Sequence, residues 1–261
     1  MTSDDPINLA ERLGELGLRF AADSLADILA RASKKRLSHV QLLEHLCELE
    51  ARDRAQRSLE RRRLRSKIGR FRLMADFDWN WPTSIDRGAV ESAVALDFLP
   101  EARNVILMAS QGLGKTMIAQ NIAHQAVQAG HSTLFITAAQ LLLDLGSADS
   151  SRALDRRLRH YTGFRLLCID ELGYLSYDNR NADLLFQVIS RRYEQKSIVL
   201  TTNLNFRDWH SIFPNATCTT ALLDRIIHHA DIIPIEGESY RRREAQARKA
   251  QARKAPRATK R

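Results

Sequence analysis

Ala109-Ser110-Gln111-Gly112-Leu113-Gly114-Lys115-Thr116 follows an apolar run, Val105 to Met108, and precedes a helical run, Met117 to Ala129. A buried strand, a glycine loop and a helix N-terminus together make a phosphate-binding site, because the loop N–H groups and the helix dipole both point at the anion. Residues 109–116 together form this phosphate cradle. Lys115 reaches the β/γ-phosphates and the Thr116 hydroxyl ligates Mg²⁺. The full phosphate-loop pattern begins with glycine, whereas Ala109 stands first here. Corroboration therefore has to come from the rest of the chain.

From Asn104 onward, short apolar runs alternate with helical patterns. The expected strands are Val105–Met108, Thr133–Thr137, Leu166–Asp170, Ile198–Thr202 and Ile232–Ile235. The intervening helices are Lys115–Ala129, Ala138–Leu145, Arg152–Tyr161, Ala182–Tyr193 and Ala221–His228. Such alternation implies βαβ units and a parallel sheet covered on both faces. Ligands then bind at the carboxyl ends of the strands.

The third of these strands ends in two carboxylates, Asp170 and Glu171. At the carboxyl edge Asp170 faces the glycine loop and holds Mg²⁺ through water. Glu171 orients and activates a water for attack on the γ-phosphate. Asn203 follows the fourth strand, and two readings stand: a hydrogen bond to the γ-phosphate or attacking water, or simple turn formation. Arg225 lies in an apolar helix start. It is either the partner of Asp224 or an arginine finger reaching a neighbouring subunit's nucleotide. Arg241 either reaches the same phosphates in cis or merely begins the basic tail. His228 and His229 are adjacent, so on a helix they point to different faces, and no residues at metal-ligand spacing accompany them. They read as structural. Phe77, Trp79 and Trp81 are either core anchors or a wall of the base pocket.

The first third of the chain reads as helices. Leu9, Leu13 and Leu16 share one face, and Leu25, Ile28 and Leu29 continue the pattern. Ser38 and Gln41 form a capping box for a long helix that begins with Leu42, Leu46 and Leu49 and becomes arginine-rich. Charge is uneven along the sequence. Residues 52–72 carry +8 and residues 241–261 carry +9, which leaves −8 for the rest of a chain whose net charge is +9. An acidic body with two basic segments suits attachment to a polyanion. The candidate DNA contacts are Arg54, Arg57, Arg61, Arg62, Arg65 and Lys67. The tail has no apolar periodicity and is expected to be disordered. No apolar run approaches the roughly 20 residues of a membrane span. Three widely spaced cysteines, Cys47, Cys168 and Cys218, fit a reducing cytoplasm.

Five strings of sequence carry a resemblance to the IstB family of insertion-sequence helper ATPases, an AAA+ group related to DnaC-type helicase loaders. They are GLGKT (Gly112–Thr116), LLCIDELGYL (Leu166–Leu175), ADLLFQVISRRYE (Ala182–Glu194), IVLTTNL (Ile198–Leu204) and ALLDRIIHHADIIPIEGESYR (Ala221–Arg241). The resemblance implies an α/β fold of the AAA+ P-loop type. A central parallel five-stranded sheet flanked by helices would follow a small all-helical N-terminal domain. The expected division is 1–75, 76–240 and a basic tail, 241–261. It further implies an ATPase with Mg²⁺ that assembles as a ring or helical homo-oligomer on duplex DNA. Such an assembly bends the DNA and recruits or activates a transposase. By position, Lys115 and Thr116 match the phosphate-loop residues, Asp170 and Glu171 the Walker B pair, and Asn203 sensor I. Arg225 matches the trans-acting finger and Arg241 the second sensor. The family usually has glycine where Ala109 stands. One rival reading is a DnaC-type replicative helicase loader. Another is a non-catalytic nucleic-acid scaffold with a degenerate loop, supported by Ala109 alone and opposed by Lys115, Asp170 and Glu171.

Overall fold

The computed structural model describes residues 6–174, 178–213, 216–240 and 243. The chain divides into two compact units, Met1–Arg61 and Arg62–Arg261.

In the first unit, α1 (Pro6–Glu15), α2 (Arg19–Asp23) and α3 (Leu25–Lys35) precede α4 (His39–Ser66), within which the division falls. The capping box is present. Ser38 N–H donates to Gln41 Oε1 (2.9 Å) and Gln41 N–H to Ser38 Oγ (3.2 Å), so two donors at the start of α4 are satisfied reciprocally. Leu25, Ile28 and Ala32 bury the inner face of α3. Glu50 is a buried carboxylate, only 3% exposed. It accepts from Ala21 N–H (3.2 Å), Arg54 Nε (3.1 Å) and Arg57 (3.3 Å). Burial works to raise its pKa, but the Ala21 N–H and the Arg54 guanidinium outweigh that and hold it below the usual carboxylate range.

In the second unit, β1 (Ser84–Ile85) and α5 (Arg87–Ala95) lead into β2 (Asn104–Ala109) and α6 (Lys115–Gln128). Then come β3 (Thr133–Thr137), α7 (Ala138–Gly146), α8 (Ser151–Gly163), β4 (Leu166–Leu172) and α9 (Asn179–Arg192). The described chain continues through β5 (Ser197–Thr202), α10 (Trp209–Ile212), α11 (Ala216–Ile227) and β6 (Ala230–Glu236). The sheet order is β1-β6-β2-β5-β4-β3. Strands β2 to β6 are the five expected parallel strands, and two-residue β1 adds a short antiparallel edge against β6.

Side-chain alternation divides the sheet between two layers. Ile106, Leu134, Ile136, Leu167, Ile169, Ile198 and Leu200 face a core closed by α7 to α11. The intervening Val105, Leu107, Phe135, Cys168 and Val199 are also buried, toward the other face, where α6 packs across β2 to β5. Arg192 ties the first layer together. Fully buried at the end of α9, it donates to the carbonyls of Tyr161 (3.2 Å), Phe164 (2.9 Å), Arg165 (3.2 Å) and Ser197 (2.6 Å). Burial pushes its pKa down to about 9, so it stays cationic at neutral pH.

The segment after α4 packs on α6. Gln120 Nε2 donates to Ile68 O (3.1 Å), Asn121 Nδ2 to Arg72 O (2.8 Å), and Met74 N–H to Asn121 Oδ1 (3.1 Å). Phe71 meets His124 with ring centroids 5.1 Å apart. These contacts put residues 62–76 in the unit that holds the glycine loop, although a division at 75/76 would assign most of them to the helical region.

Candidate nucleotide site

The order of strands brings three loops together. Because β5 lies between β2 and β4, the glycine loop after β2, the acidic end of β4 and Asn203 after β5 meet at one carboxyl edge. Ligands in such sheets bind at that edge. The cavity there encloses about 450 Å³. It is lined by Gln111 to Met117, by Glu171, Thr201 and Asn203, and by Phe71, Phe77, Trp81 and Tyr240.

The backbone explains where glycine is required. Gly112 (φ 82°) and Gly114 (φ 88°) adopt left-handed conformations, which a Cβ disfavours. A Cβ on Gly112 would lie 2.2 Å from Ser239 Oγ, and one on Gly114 would lie 2.6 Å from Phe77 Cε2. Ala109 is different. It is the last residue of β2, paired in register with Ile235, and 6% exposed. Its φ is not among the positive values, so this position accepts an ordinary side chain. The departure from the glycine pattern falls where the fold does not need glycine.

Lys115 opens α6, and its Nζ donates to Ala109 O (2.6 Å) and Ser110 O (2.8 Å), curling over the loop. The Thr116 hydroxyl donates to Asp170 Oδ2 (3.1 Å) and Oδ1 (3.2 Å). Asp170 is 4% exposed and accepts a second hydroxyl, from Thr201 (2.5 Å). Thr201 Oγ1 in turn accepts from Glu171 N–H (2.9 Å).

A bulge in β4 builds this chain of contacts. Ile169 pairs with Leu200 and Leu172 with Thr202, so Asp170 and Glu171 together oppose Thr201. The extra residue puts Glu171 at φ 61°, a costly conformation for a side chain with a Cβ. It turns the exposed Glu171 into the cavity while Asp170 stays buried beside Thr116. Thr201 is the residue that sequence reading missed. Its signal was a pair of threonines, Thr201 and Thr202, closing a buried strand in a sheet that also carries two consecutive acids.

Asn203 Oδ1 is buried, and nothing among the described residues donates to it. An unsatisfied buried acceptor is costly, and a water or ligand hydrogen would relieve it. On the opposite wall, Trp81 and Tyr240 pack edge to face at 5.8 Å. Trp81 Nε1 donates to Glu238 O (2.8 Å), and Tyr240 N–H donates to Gly112 O (3.0 Å). Arg243 lies over Trp81, 4.4 Å from the ring centroid. Of the two readings open for the aromatic segment, Phe77 and Trp81 form a cavity wall. Trp79 instead packs on Phe77 at 4.8 Å beneath Arg87.

Arg225 is not part of this cavity. It sits over the Phe186 ring (4.9 Å to the centroid) and donates to Ala221 O (3.0 Å), while Leu222 and Ile226 bury the inner face of α11. Arg241 lies outside the described residues, as does the tail apart from Arg243. The candidate DNA contacts divide. Arg54 and Arg57 are committed to Glu50, and Arg57 also to Asp53 (2.6 Å). Arg62 donates to Val127 O (3.3 Å). Arg61, Arg65 and Lys67 are exposed, with no ion pair among the described residues.

The fold and site have known counterparts. Residues 11–249 match the family described as IstB-like ATP binding protein. The chain belongs to the IstB-like ATP-binding family. A protein of insertion sequence IS232 from Bacillus thuringiensis subsp. berliner, named for ATP binding, is 36% identical over 89% of this chain and 93% of its own. The corresponding protein of insertion sequence IS21 from Pseudomonas aeruginosa is 35% identical over 89% of this chain and 88% of its own. Solved structures share the α/β fold of AAA+ P-loop proteins. DnaI superposes with a TM-score of 0.54 at 20% identity, covering 65% of this chain and 93% of its own. The DnaC helicase loader gives 0.51 at 18%, covering 60% and 98%. Among the described residues, no helix of this IstB-like chain is long and apolar enough to cross a membrane.

Proposed function

We propose that this IstB-like chain is an ATPase that assembles on duplex DNA in its ATP-bound state and recruits or activates the transposase of its insertion sequence. The observation that carries the reading is the bulged end of β4. There Thr116, Asp170, Thr201 and Glu171 are joined in one polar chain beside an unsatisfied Asn203 oxygen.

The donor set suits Mg²⁺, a hard cation that takes few carboxylates and keeps its waters. Thr116 and Asp170 would hold it, and the ion would neutralise charge on the phosphate oxygens. The loop N–H groups and the α6 N-terminus bind the phosphates, and Lys115 leaves its carbonyl partners to reach them. Glu171, aimed by its strained backbone, accepts a proton from the attacking water. Asn203 Oδ1 accepts a hydrogen bond from that water and thereby gains its missing partner. Arg225 lies outside its own chain's cavity and serves the nucleotide of an adjacent subunit, so the site is a joint in a homo-oligomer. Arg61, Arg65 and Lys67 supply phosphate contacts to DNA, and hydrolysis resets the assembly in the bacterial cytoplasm.

Titration of a labelled duplex with and without ATP tests the reading. ATP should tighten binding, and Lys115→Ala should abolish the ATP effect. Binding should weaken steeply with salt, with a log–log slope that falls by about 0.9 for each phosphate-contacting cation removed. A Lys115→Ala protein that assembles on DNA with ATP as wild type does would overturn the proposal.

A further inference from the structure

We infer that Glu194, His228 and His229 form a binding site for a borderline transition-metal dication such as Zn²⁺, at the sheet edge opposite the nucleotide cavity. The inference does not rest on the proposed ATPase cycle.

The sequence alone argued against such a site, because adjacent histidines on a helix diverge. The fold removes that premise. Helix α11 ends at Ile227, so His228 and His229 lie in the turn that feeds β6. Freed from helical geometry, their rings stand side by side with centroids 4.0 Å apart. The third ligand comes from another part of the chain. Glu194 follows the end of α9 at φ 56°, a left-handed conformation that non-glycine residues seldom adopt. This returns the chain toward the His pair.

The ligand atoms have the spacing that a metal needs. Glu194 Oε1 lies 3.3 Å from His229 Nε2 and 4.0 Å from His228 Nδ1, and all three atoms fall within 4.8 Å of one another. Tetrahedral zinc with bonds of about 2.0–2.2 Å places its ligands roughly 3.3–3.5 Å apart, so a small closure of one histidine completes the triangle. Two imidazoles and one carboxylate favour Zn²⁺, Co²⁺ or Ni²⁺ over Mg²⁺ or Ca²⁺, which prefer all-oxygen shells. The three residues are exposed, which leaves a fourth position open to water. Tyr193 stands beside the cluster. Its ring stacks near both histidines, and its hydroxyl lies 2.6 Å from His228 Nδ1, a contact that this nitrogen gives up when it binds the ion.

The position within the fold gives the site a consequence. His229 O accepts from Asn104 N–H (2.7 Å) at the start of β2, whose far end carries the glycine loop. A bound ion would clamp the end of α9 to the end of α11, one turn from Arg225.

The test is calorimetric titration of the full chain with Zn²⁺, after chelator treatment and without nucleotide, which itself binds metals. One equivalent should bind and persist in millimolar Mg²⁺. Co²⁺ should give the intense visible absorption of four-coordinate cobalt. Glu194→Gln and His229→Gln, both conservative changes at exposed positions, should each weaken binding at least about 10-fold, since even outer-shell losses cost that much. Affinity for a fluorescent ATP analogue should stay unchanged in Glu194→Gln. Absence of any Zn²⁺ equivalent, or wild-type affinity and stoichiometry in both variants, would overturn the inference. Circular dichroism melts identify any variant that fails to fold. His228→Gln then provides the same comparison.

Discussion

At the carboxyl edge of the sheet the polar groups answer one another within the site. Thr116, Thr201 and the Glu171 amide are satisfied by local partners, while Asn203, which also lines the cavity, keeps a buried oxygen to which nothing among the described residues donates. At the amino edge three exposed side chains, Glu194, His228 and His229, converge beside Tyr193. The first edge is built from contiguous strings, each ending a strand. The second is assembled from a helix end and a turn that meet only in three dimensions. A site of the first kind is pre-organised for chemistry, whereas one of the second kind needs its ligand to become rigid.

Breaking the carboxyl edge should have the largest effects. Glu171→Gln keeps the shape of the bulge and removes the base. Steady-state ATP turnover should fall about 10²–10⁴-fold with nucleotide affinity unchanged. An equal loss of affinity would make Glu171 a binding group instead. Thr201→Val should come next. It strips both partners from the bulge, so turnover should fall on the order of 10-fold and the thermal transition should reflect about 1–3 kcal/mol lost. Thr201→Ser should restore turnover, since the hydroxyl does the positioning. If Val is as active as Ser, the relay through Thr201 is wrong.

The smallest effect sharpens the comparison with a polar cluster that serves structure alone. Glu50→Gln should cost the helical region about 1–3 kcal/mol, measured by chemical denaturation, because its arginine partners remain. The folded pKa of Glu50 is lowered from 4.5, so its contribution is present above that value and is lost as pH falls through the lowered one. An acid titration followed by circular dichroism should therefore show wild type losing its advantage over Glu50→Gln below pH 4.5. Parallel acid melts in the two proteins would contradict this.

Much of the fold was legible because its signals were local. All five parallel strands and the capping box at Ser38 follow from periodicity and hydrogen-bonding chemistry within a few residues. The meeting of Lys115, Thr116 and Asp170 at one strand edge was legible for the same reason. What escaped was set by pairing register. A bulge opposite Thr201 leaves no pattern in β4 itself, and the turn that aligns His228 with His229 depends on where α11 stops. Ala109 shows the converse. It departs from a motif, yet its strand conformation makes the departure harmless. Charge was a looser guide: of the candidate DNA contacts, Arg54 and Arg57 pair with Glu50, whereas Arg61, Arg65 and Lys67 are exposed.

The claim that the carboxyl edge becomes a working site only between subunits is tested most directly by mixing two inactive proteins. Arg225→Ala keeps Lys115 and Glu171, and Glu171→Gln keeps Arg225. An equimolar mixture on duplex DNA should recover about one quarter of wild-type ATP turnover, as random pairing at a head-to-tail interface requires. A mixture no more active than its components, or an Arg225→Ala protein with full activity by itself, would contradict the account.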